Sequence, residues 1–416
     1  MKKPKLAVLT DFPPHIGGLG KPVIQKLLRL SADFEVHLIT LYNHQQELPL
    51  PSAITLHRLN LPERATSKDA LSIPSLIKKA GIRGIFSSLS NALNYSFPLY
   101  YGAFIDAHAR RCVKCKIKAL KPDALLTFRY VCAELSRSLE HVCPIFMDIG
   151  DRISIYHSSI IAHPSTSFAR KTISLIESFL FTRYEQSLSC RASAVFYISK
   201  RDLAAGKKLS SQHCWPLLMD SRIPRLKNVK KDFDILLLGN WSTMANADSL
   251  HFAIKEIFPL CKHHPKVALL GPGADEALLA SSKLKIENLG FVKDLDSALL
   301  RSKALLAPIR LASGVQTKVL DCLKMGLATI VSKNAKGGVN PPANSDAIIV
   351  CSNADEFAVA IDAMAQDEKD YSNTAQKAYA EYAKWAQDSQ EAAIKLMLKK
   401  IKEKQNNEKK NNATNS

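Results

Sequence analysis

The sequence predicts an α/β protein made of two doubly wound parallel-sheet domains, and three observations carry that prediction. Short apolar runs alternate with stretches of helical period from the first residues onward, the signature of successive βαβ units. The alternation is interrupted once, at about 216–231, by PLLMDSRIPRLKNVKK, a polar, basic, proline-marked segment with no apolar period. The 416 residues, 46% hydrophobic and 23% charged, suffice for a full core on either side of that interruption.

In the first domain, 1–220, KLAVLT, EVHLITL and ITLHRL read as strands, with GLGKPVIQKLLRLS as the helix after the first. An irregular basic stretch follows between about Ser67 and Lys121. Then come strand ALLTF, helix VCAELSRSLE, strand PIFMDIGD, a long helix over Ser167–Cys190, and strands AVFYIS and HCWPLL. Residues 221–231 are the linker. The second domain, 232–375, alternates helices with the strands FDILLLG, KVALLG, IENLGFV, KALLAPI, ATIVSK and AIIV. Residues 376–404 have helical period and read as a C-terminal helix packing back toward the first domain. The polar low-complexity end, 405–416, reads as a disordered tail.

The 57 Lys and Arg against 38 Asp and Glu give a formal charge of +19, placed unevenly: residues 1–230 hold 33 basic and 16 acidic side chains. The first half therefore faces something anionic. Nucleic acid is not indicated, because no recognisable nucleic-acid motif accompanies the charge. Nine cysteines with one C-x-x-C pair, Cys112 and Cys115, make neither a disulfide framework nor a zinc site and point to a reducing cytoplasm. The apolar run after Lys5 ends at Thr10 and Asp11, too short for a signal peptide, and no segment reaches the ~18 apolar residues of a membrane span. Any membrane contact is then peripheral. The stretch KKAGIRGIFSSLSNALNYSFPLYYGAF, followed by a basic run from Arg110 to Lys121, reads as a surface for an anionic leaflet, or else as a helix whose aromatic side chains are core.

In an open parallel sheet, ligands meet the carboxyl ends of the strands, and two loops there stand out. The first is Asp11–Lys21, where Gly17, Gly18 and Gly20 let the backbone approach a ligand ahead of a helix N-terminus, or simply make a tight βα turn. The second is APIRLASGVQTKVLDCLKMG, Ala307–Gly326. Here Arg310 ends a strand, Ser313 and Gly314 open a helix, and the N–H groups of Val315, Gln316 and Thr317 point outward as an anion site. Lys318 in the first turns opposes the helix dipole but suits a bound diphosphate. Asp321, three residues on, could accept hydrogen bonds from vicinal sugar hydroxyls; alternatively Lys318 and Asp321 form a surface ion pair. No D-x-D in strand context and no His, Cys and carboxylate cluster suggests a metal, and His263–His264 read as an exposed helix end.

With these residues in view, the second domain resembles the donor-binding domain of GT-B glycosyltransferases, specifically the retaining family 4 and its branch from bacterial envelope and exopolysaccharide clusters. The resemblance runs through LLLGNWSTMANADSLHFAIKEIFPLCKHHPKVALLGPG, then IENLGFVKDLDSALLRSKALLAPIRLASGVQTKVLDCLKMGLATIVSKNAKGG, and the late YAKWAQ with Trp385. In the first domain it rests on GGLG, on FMDIGDRIS, and on the helix with Glu177 and Glu185 before AVFYISKRD. It implies two Rossmann-like domains facing a cleft, with a nucleotide sugar held by the second and an acceptor by the first. The nucleobase would lie near Gly290–Val292, making Phe291 and Val292 candidates. The diphosphate would lie at Ser313 to Lys318, the ribose at Asp321, and Gly18 and Gly20 would join the donor site.

Two departures from the family pattern bear on this site. Of the paired glutamates eight positions apart, one position holds Ser313 and the other Asp321. The Arg and Lys usually found after the domain's first strand are absent, and Gly239, Asn240, Trp241 and Asn246 stand there instead. Diphosphate neutralisation then falls to Lys318, Arg310 and the helix end. The resemblance further implies retention of configuration with no protein nucleophile; the basic groups and the helix N-terminus can substitute for a metal, and no cofactor is expected. Lys318, Asp321 and Asp151 are the catalytic candidates, with Asp148 and Arg152 beside Asp151 serving as partners or merely as caps. The donor would be UDP- or GDP-linked, and the acceptor an envelope glycan or lipid-linked saccharide at the inner face of the membrane. A binding or regulatory subunit without transfer, or a nucleotide-sugar epimerase, is the alternative.

Overall fold

The computed structural model describes residues 2–11, 13–14, 20–43, 47–61, 85–102, 105–206, 209–219, 222–224, 229–342, 344–366 and 369–414. Two all-parallel sheets form among them. The first holds β1 (Lys5–Thr10), β2 (Glu35–Thr40), β3 (Ile54–Arg58), β4 (Ala124–Phe128), β5 (Ile145–Gly150), β6 (Ala194–Tyr197) and β7 (Gln212–Cys214), in the order β3-β2-β1-β4-β5-β6-β7. The second holds β8 (Phe233–Leu238), β9 (Val267–Leu270), β10 (Ile286–Gly290), β11 (Ser302–Ala307), β12 (Ala328–Ser332) and β13 (Ile348–Cys351), in the order β10-β9-β8-β11-β12-β13.

The central strands, such as β1, β4, β5 and β9, are buried along almost their whole length because both faces of each sheet are covered by helices, whereas β3, β7 and β10 at the sheet edges are mixed in composition and partly exposed. In β1, Leu6 and Val8 enter a core with Leu27, Phe34 and Trp215, whereas Ala7 and Leu9 enter another with Leu125, Met147 and Phe181. In each sheet the winding reverses beside the first strand, between β1 and β4 and between β8 and β11. The loops leaving such a pair of strands diverge to opposite faces and open a crevice at their carboxyl ends.

The chain divides into two compact units, one of Met1–Ile161, Ser167–Met219 and Ala386–Ser416, the other of Ala162–Thr166 and Asp220–Trp385. The C-terminal segment is one helix, Ser372–Thr414. From Ala386 onward it belongs to the first unit, where Ala393, Ile394, Met397 and Ile401 join the core beside Leu6, Val8, Phe196 and Trp215. Trp215 Nε1 donates to Gln390 at 2.5 Å, and Arg29 grips Glu391 through two nitrogens at 2.7 and 2.6 Å. Residues 405–414, expected to be disordered, continue the helix. Gln405 donates to Asp123 at 3.1 Å, and Lys404 donates to the His141 carbonyl at 3.3 Å. Gln405, Glu408, Lys409 and Lys410 are good helix formers whereas the four asparagines are not, and the packed turns upstream supply the nucleus from which the helix extends.

Charge buried in the first unit converges on Glu134, which has no exposed surface. Its carboxylate accepts from Arg137 at 2.7 and 2.8 Å, Arg110 at 3.0 Å, Tyr184 at 3.0 Å and Arg191 at 3.3 Å. Helices Ala107–Leu120, Arg129–Leu135 and Phe168–Arg191 are thereby joined at one point. Burial opposes the charge, but Arg137, Arg191 and Arg110 outweigh it and hold the carboxyl below its usual range.

Candidate functional site

At the β8/β11 reversal, the residues leaving β8 make a turn that ends on a lysine. Asn240 Oδ1 accepts from the Ser242 amide at 3.1 Å, and the Asn240 carbonyl accepts from Asn246 Nδ2 at 2.9 Å. That fixes the Asn246 amide on helix Met244–Phe252 so that its Oδ1 accepts from Lys318 Nζ at 2.8 Å. Gly239 allows this approach, since a Cβ there would lie 2.9 Å from Asn246 Cγ. Trp241 faces inward; its ring is buried and its Nε1 donates to the Leu270 carbonyl at 3.1 Å.

Beyond β11, Gly314 sits at φ +64°, a left-handed conformation that interrupts the approach to the next helix. The helix therefore starts at Thr317, not at 314, with Gln316 as a cap residue whose side chain makes no capping bond. Val315 and Gln316 lie in the approach, and the helix start is set by Thr317 and Lys318. Burial lowers the Lys318 ammonium to about 8, and the neutral Asn246 oxygen does little to raise it. Asp321 follows one turn later, half-buried, while Val319, Leu320, Cys322 and Leu323 anchor the inner face. Phe291, just past β10, is 77% exposed, with Val292 half-buried beside it.

Arg310 is committed elsewhere. Its guanidinium meets Asp248 at 3.0 and 2.7 Å and Glu256 at 3.3 Å, and lies 4.4 Å over the Phe252 ring. Arg310→Gln is expected to destabilise the protein by about 1–3 kcal/mol, the usual effect of stripping partners from partly buried charges. Nucleotide affinity should stay within about threefold, as such a positioning role requires. Unchanged stability with lost affinity, measured by denaturation and calorimetry, would return this arginine to the diphosphate.

At the β1/β4 reversal, Asp11 is buried and accepts from Arg129 Nη1 at 3.3 Å and from Cys132 Sγ at 3.4 Å. Arg129 holds φ +69°, an uncommon angle for a non-glycine residue, and half of its side chain is exposed. Asp11 raises its pKa. Sequence reasoning missed Arg129; its one readable signal is its place immediately after ALLTF, at a strand's carboxyl end. Of the three charged residues around β5, only Asp151 reaches the surface. Asp148 is buried against Lys26 at 2.7 Å, and Arg152 is buried against Glu185 at 3.2 Å and the Asp202 carbonyl at 2.6 Å. Gly17 and Gly18 lie outside the described residues, and Gly20 opens helix Gly20–Ser31.

Among the described residues, no group of three or more His, Cys, Asp or Glu is arranged to hold a metal ion, and all nine cysteines are free thiols. His263 and His264 are exposed.

Residues 232–367 match the family model described as glycosyl transferases group 1, about a third of the chain. No curated protein matches the chain in sequence. Sucrose-phosphate synthase from Thermosynechococcus elongatus is similar in structure, with a TM-score of 0.65 at 12% identity, over 97% of this chain and 99% of its own. HepE from Anabaena, solved with UDP and glucose, gives 0.59 at 10% identity over 95% and 100%. WaaG, a glycosyltransferase involved in lipopolysaccharide biosynthesis, gives 0.58 at 13% over 94% and 99%. The fold is that of GT-B glycosyltransferases, and the second unit is where the sequence itself matches the family.

Proposed function

We propose that this chain is a cytoplasmic glycosyltransferase that moves a sugar from a UDP- or GDP-linked donor to an envelope glycan or lipid-linked saccharide, with retention and without a metal ion. Peripheral contact with an anionic membrane is part of this reading. The observation that carries it is Lys318, a partly buried lysine at a helix start, aimed by Asn246 at the strand reversal of the unit that matches the family. A structural neighbour solved with UDP and glucose supports the donor class.

Cleavage of the bond between the anomeric carbon and the diphosphate builds negative charge on the leaving oxygen. The Lys318 ammonium and the first-turn amides meet that charge, and Asn246 positions the ammonium in advance, so little reorganisation is needed. Main-chain groups from Ser313 to Thr317 line the diphosphate, and Asp321 accepts from the ribose hydroxyls. Phe291 and Val292 take the base, while Gly239 and Asn240 position Asn246. Arg310 acts through Asp248 and Glu256. On the first unit Asp151 orients the acceptor hydroxyl, whose proton passes to the departing phosphate oxygen on the same face, giving retention.

Ser313 and Asn240, standing where the family pattern has charged groups, favour a second reading in which the chain binds donor without transfer. The first test is thermal unfolding with UDP, GDP, ADP and CMP. A ligand at about 100 times its dissociation constant stabilises by roughly 2.7 kcal/mol, a shift of several degrees. The expected result is a shift with UDP or GDP that Lys318→Ala loses, followed by release of that diphosphate from its nucleotide sugar, with or without EDTA. Binding without release selects the second reading, and sugar conversion without release selects an epimerase. No shift with any of the four overturns the donor site.

A further inference from the structure

We propose that the face of helix Phe168–Arg191 bearing Phe168, Leu175, Ile176 and Phe179 is the surface on which the first unit lies against an anionic lipid bilayer. This rests on the peripheral-membrane part of the reading above and names its surface. The four side chains are 87%, 60%, 47% and 59% exposed. Their spacing places them on one stripe of the helix, while Ser174, Glu177, Phe181, Tyr184, Glu185 and Leu188 form the buried side. Both glutamates of the helix are therefore interior. The outward half carries apolar groups, uncharged polar ones and cations but no acidic group, among them Arg183 at 5.6 Å from the Phe179 ring.

A second apolar stripe belongs to the same side of the sheet. The uncharged helical residues 85–95 expose Phe86, Leu89 and Leu93 at 69%, 47% and 84%. The chain after them turns inward, with Phe97 packed 4.8 Å from Tyr184 and Tyr101 packed 5.9 Å from Phe181 of the long helix. Part of the aromatic run read from the sequence, Phe97 and Tyr101, is thus core, while Phe86, Leu89 and Leu93 of the same run are exposed. Helix Ala107–Leu120, on the same core, buries Ala109, Val113 and Ile117 and exposes Arg111, Lys114 and Lys118 with no acidic residue of its own. Exposed aromatic and aliphatic groups set among cations are the chemistry of an acyl-headgroup boundary. A second copy of the chain would bring like charges together across a symmetric contact. No described helix is long and apolar enough to cross a membrane.

The test is co-sedimentation of the full chain with phosphatidylcholine vesicles and with vesicles containing phosphatidylglycerol. Leu175→Asn/Phe179→Asn and Lys171→Gln/Arg183→Gln are compared with wild type, and thermal midpoints confirm folding. Wild type is expected to bind the anionic vesicles at least tenfold better than neutral ones. The first variant should lose about tenfold and the second severalfold, the latter only at low salt. Wild-type binding that Leu175→Asn/Phe179→Asn retains overturns this surface alone. No binding by wild type to either vesicle overturns the peripheral reading with it. A wild-type dimer abolished by the same variant shows that the face pairs with a second copy and overturns the bilayer. The nucleotide shift of the donor site is independent of all three outcomes.

Discussion

Lys318→Met is expected to lower affinity for the nucleoside diphosphate roughly a hundredfold while raising the thermal midpoint of the free protein, given that a buried hydrogen bond to a charged group is worth about 1.5–3 kcal/mol. The two effects share one cause. The ammonium is held where burial disfavours its charge, and it titrates at about 8 instead of 10.5. Its folded pKa lies below its unfolded value, so the cost to stability is fully present below pH 8. The cost fades as the pH rises from about 8 toward 10.5, and methionine should recover about 2 kcal/mol of it at pH 7. Above pH 8, where the free lysine is neutral, a diphosphate bound beside it restores the charge by taking up a proton. Wild-type affinity should therefore hold below pH 8 and fall by up to tenfold per unit above it, while the variant's weaker affinity stays flat. Calorimetry from pH 6.5 to 9.5 gives both curves. A flat wild-type profile, or a variant that binds as tightly as wild type, would remove Lys318 from the donor site.

Glu134→Gln should be the most destabilising single change in the first unit, at about 3–5 kcal/mol, because it leaves Arg137, Arg110 and Arg191 facing a neutral amide in a buried setting. The lowered carboxyl contributes stability above its unfolded pKa, and that contribution is lost as pH falls through the folded value, below about 4.5. Chemical denaturation at pH 7 should show the loss, and the wild-type and variant midpoints should draw together as the carboxyl protonates in acid. A loss under about 1 kcal/mol would mean that each arginine has solvent enough to be satisfied alone.

Both sheets were legible in the sequence because a parallel strand buried on two faces writes itself as an apolar run, as in Leu6–Leu9 of β1 and the whole of β6 and β9. The donor side was legible to the level of loops and no finer. Gly314 was read as opening a helix, but its left-handed angle ends the approach, and only the backbone reveals that. Arg310 looked available because it ends a strand. The groups that claim it, Asp248 and Glu256, are 62 and 54 residues away along the chain. Arg129 escaped notice because its distinction is a dihedral angle and a carboxylate 118 residues distant. Residues 405–414 misled in the opposite direction, since composition alone does not register the packed helix they extend.

The helix Ser372–Thr414 also sets an order of events during synthesis. Leu6, Val8, Phe196 and Trp215 share a core with Ala393, Ile394, Met397 and Ile401, which leave the ribosome after the whole of the second unit. The second unit can close as soon as it is made, whereas the first keeps an apolar face uncovered through all of that interval. A fragment cut at Met219 keeps that face open indefinitely, and chaperones that shield nascent hydrophobic surface would hold the first-made half of this chain longest.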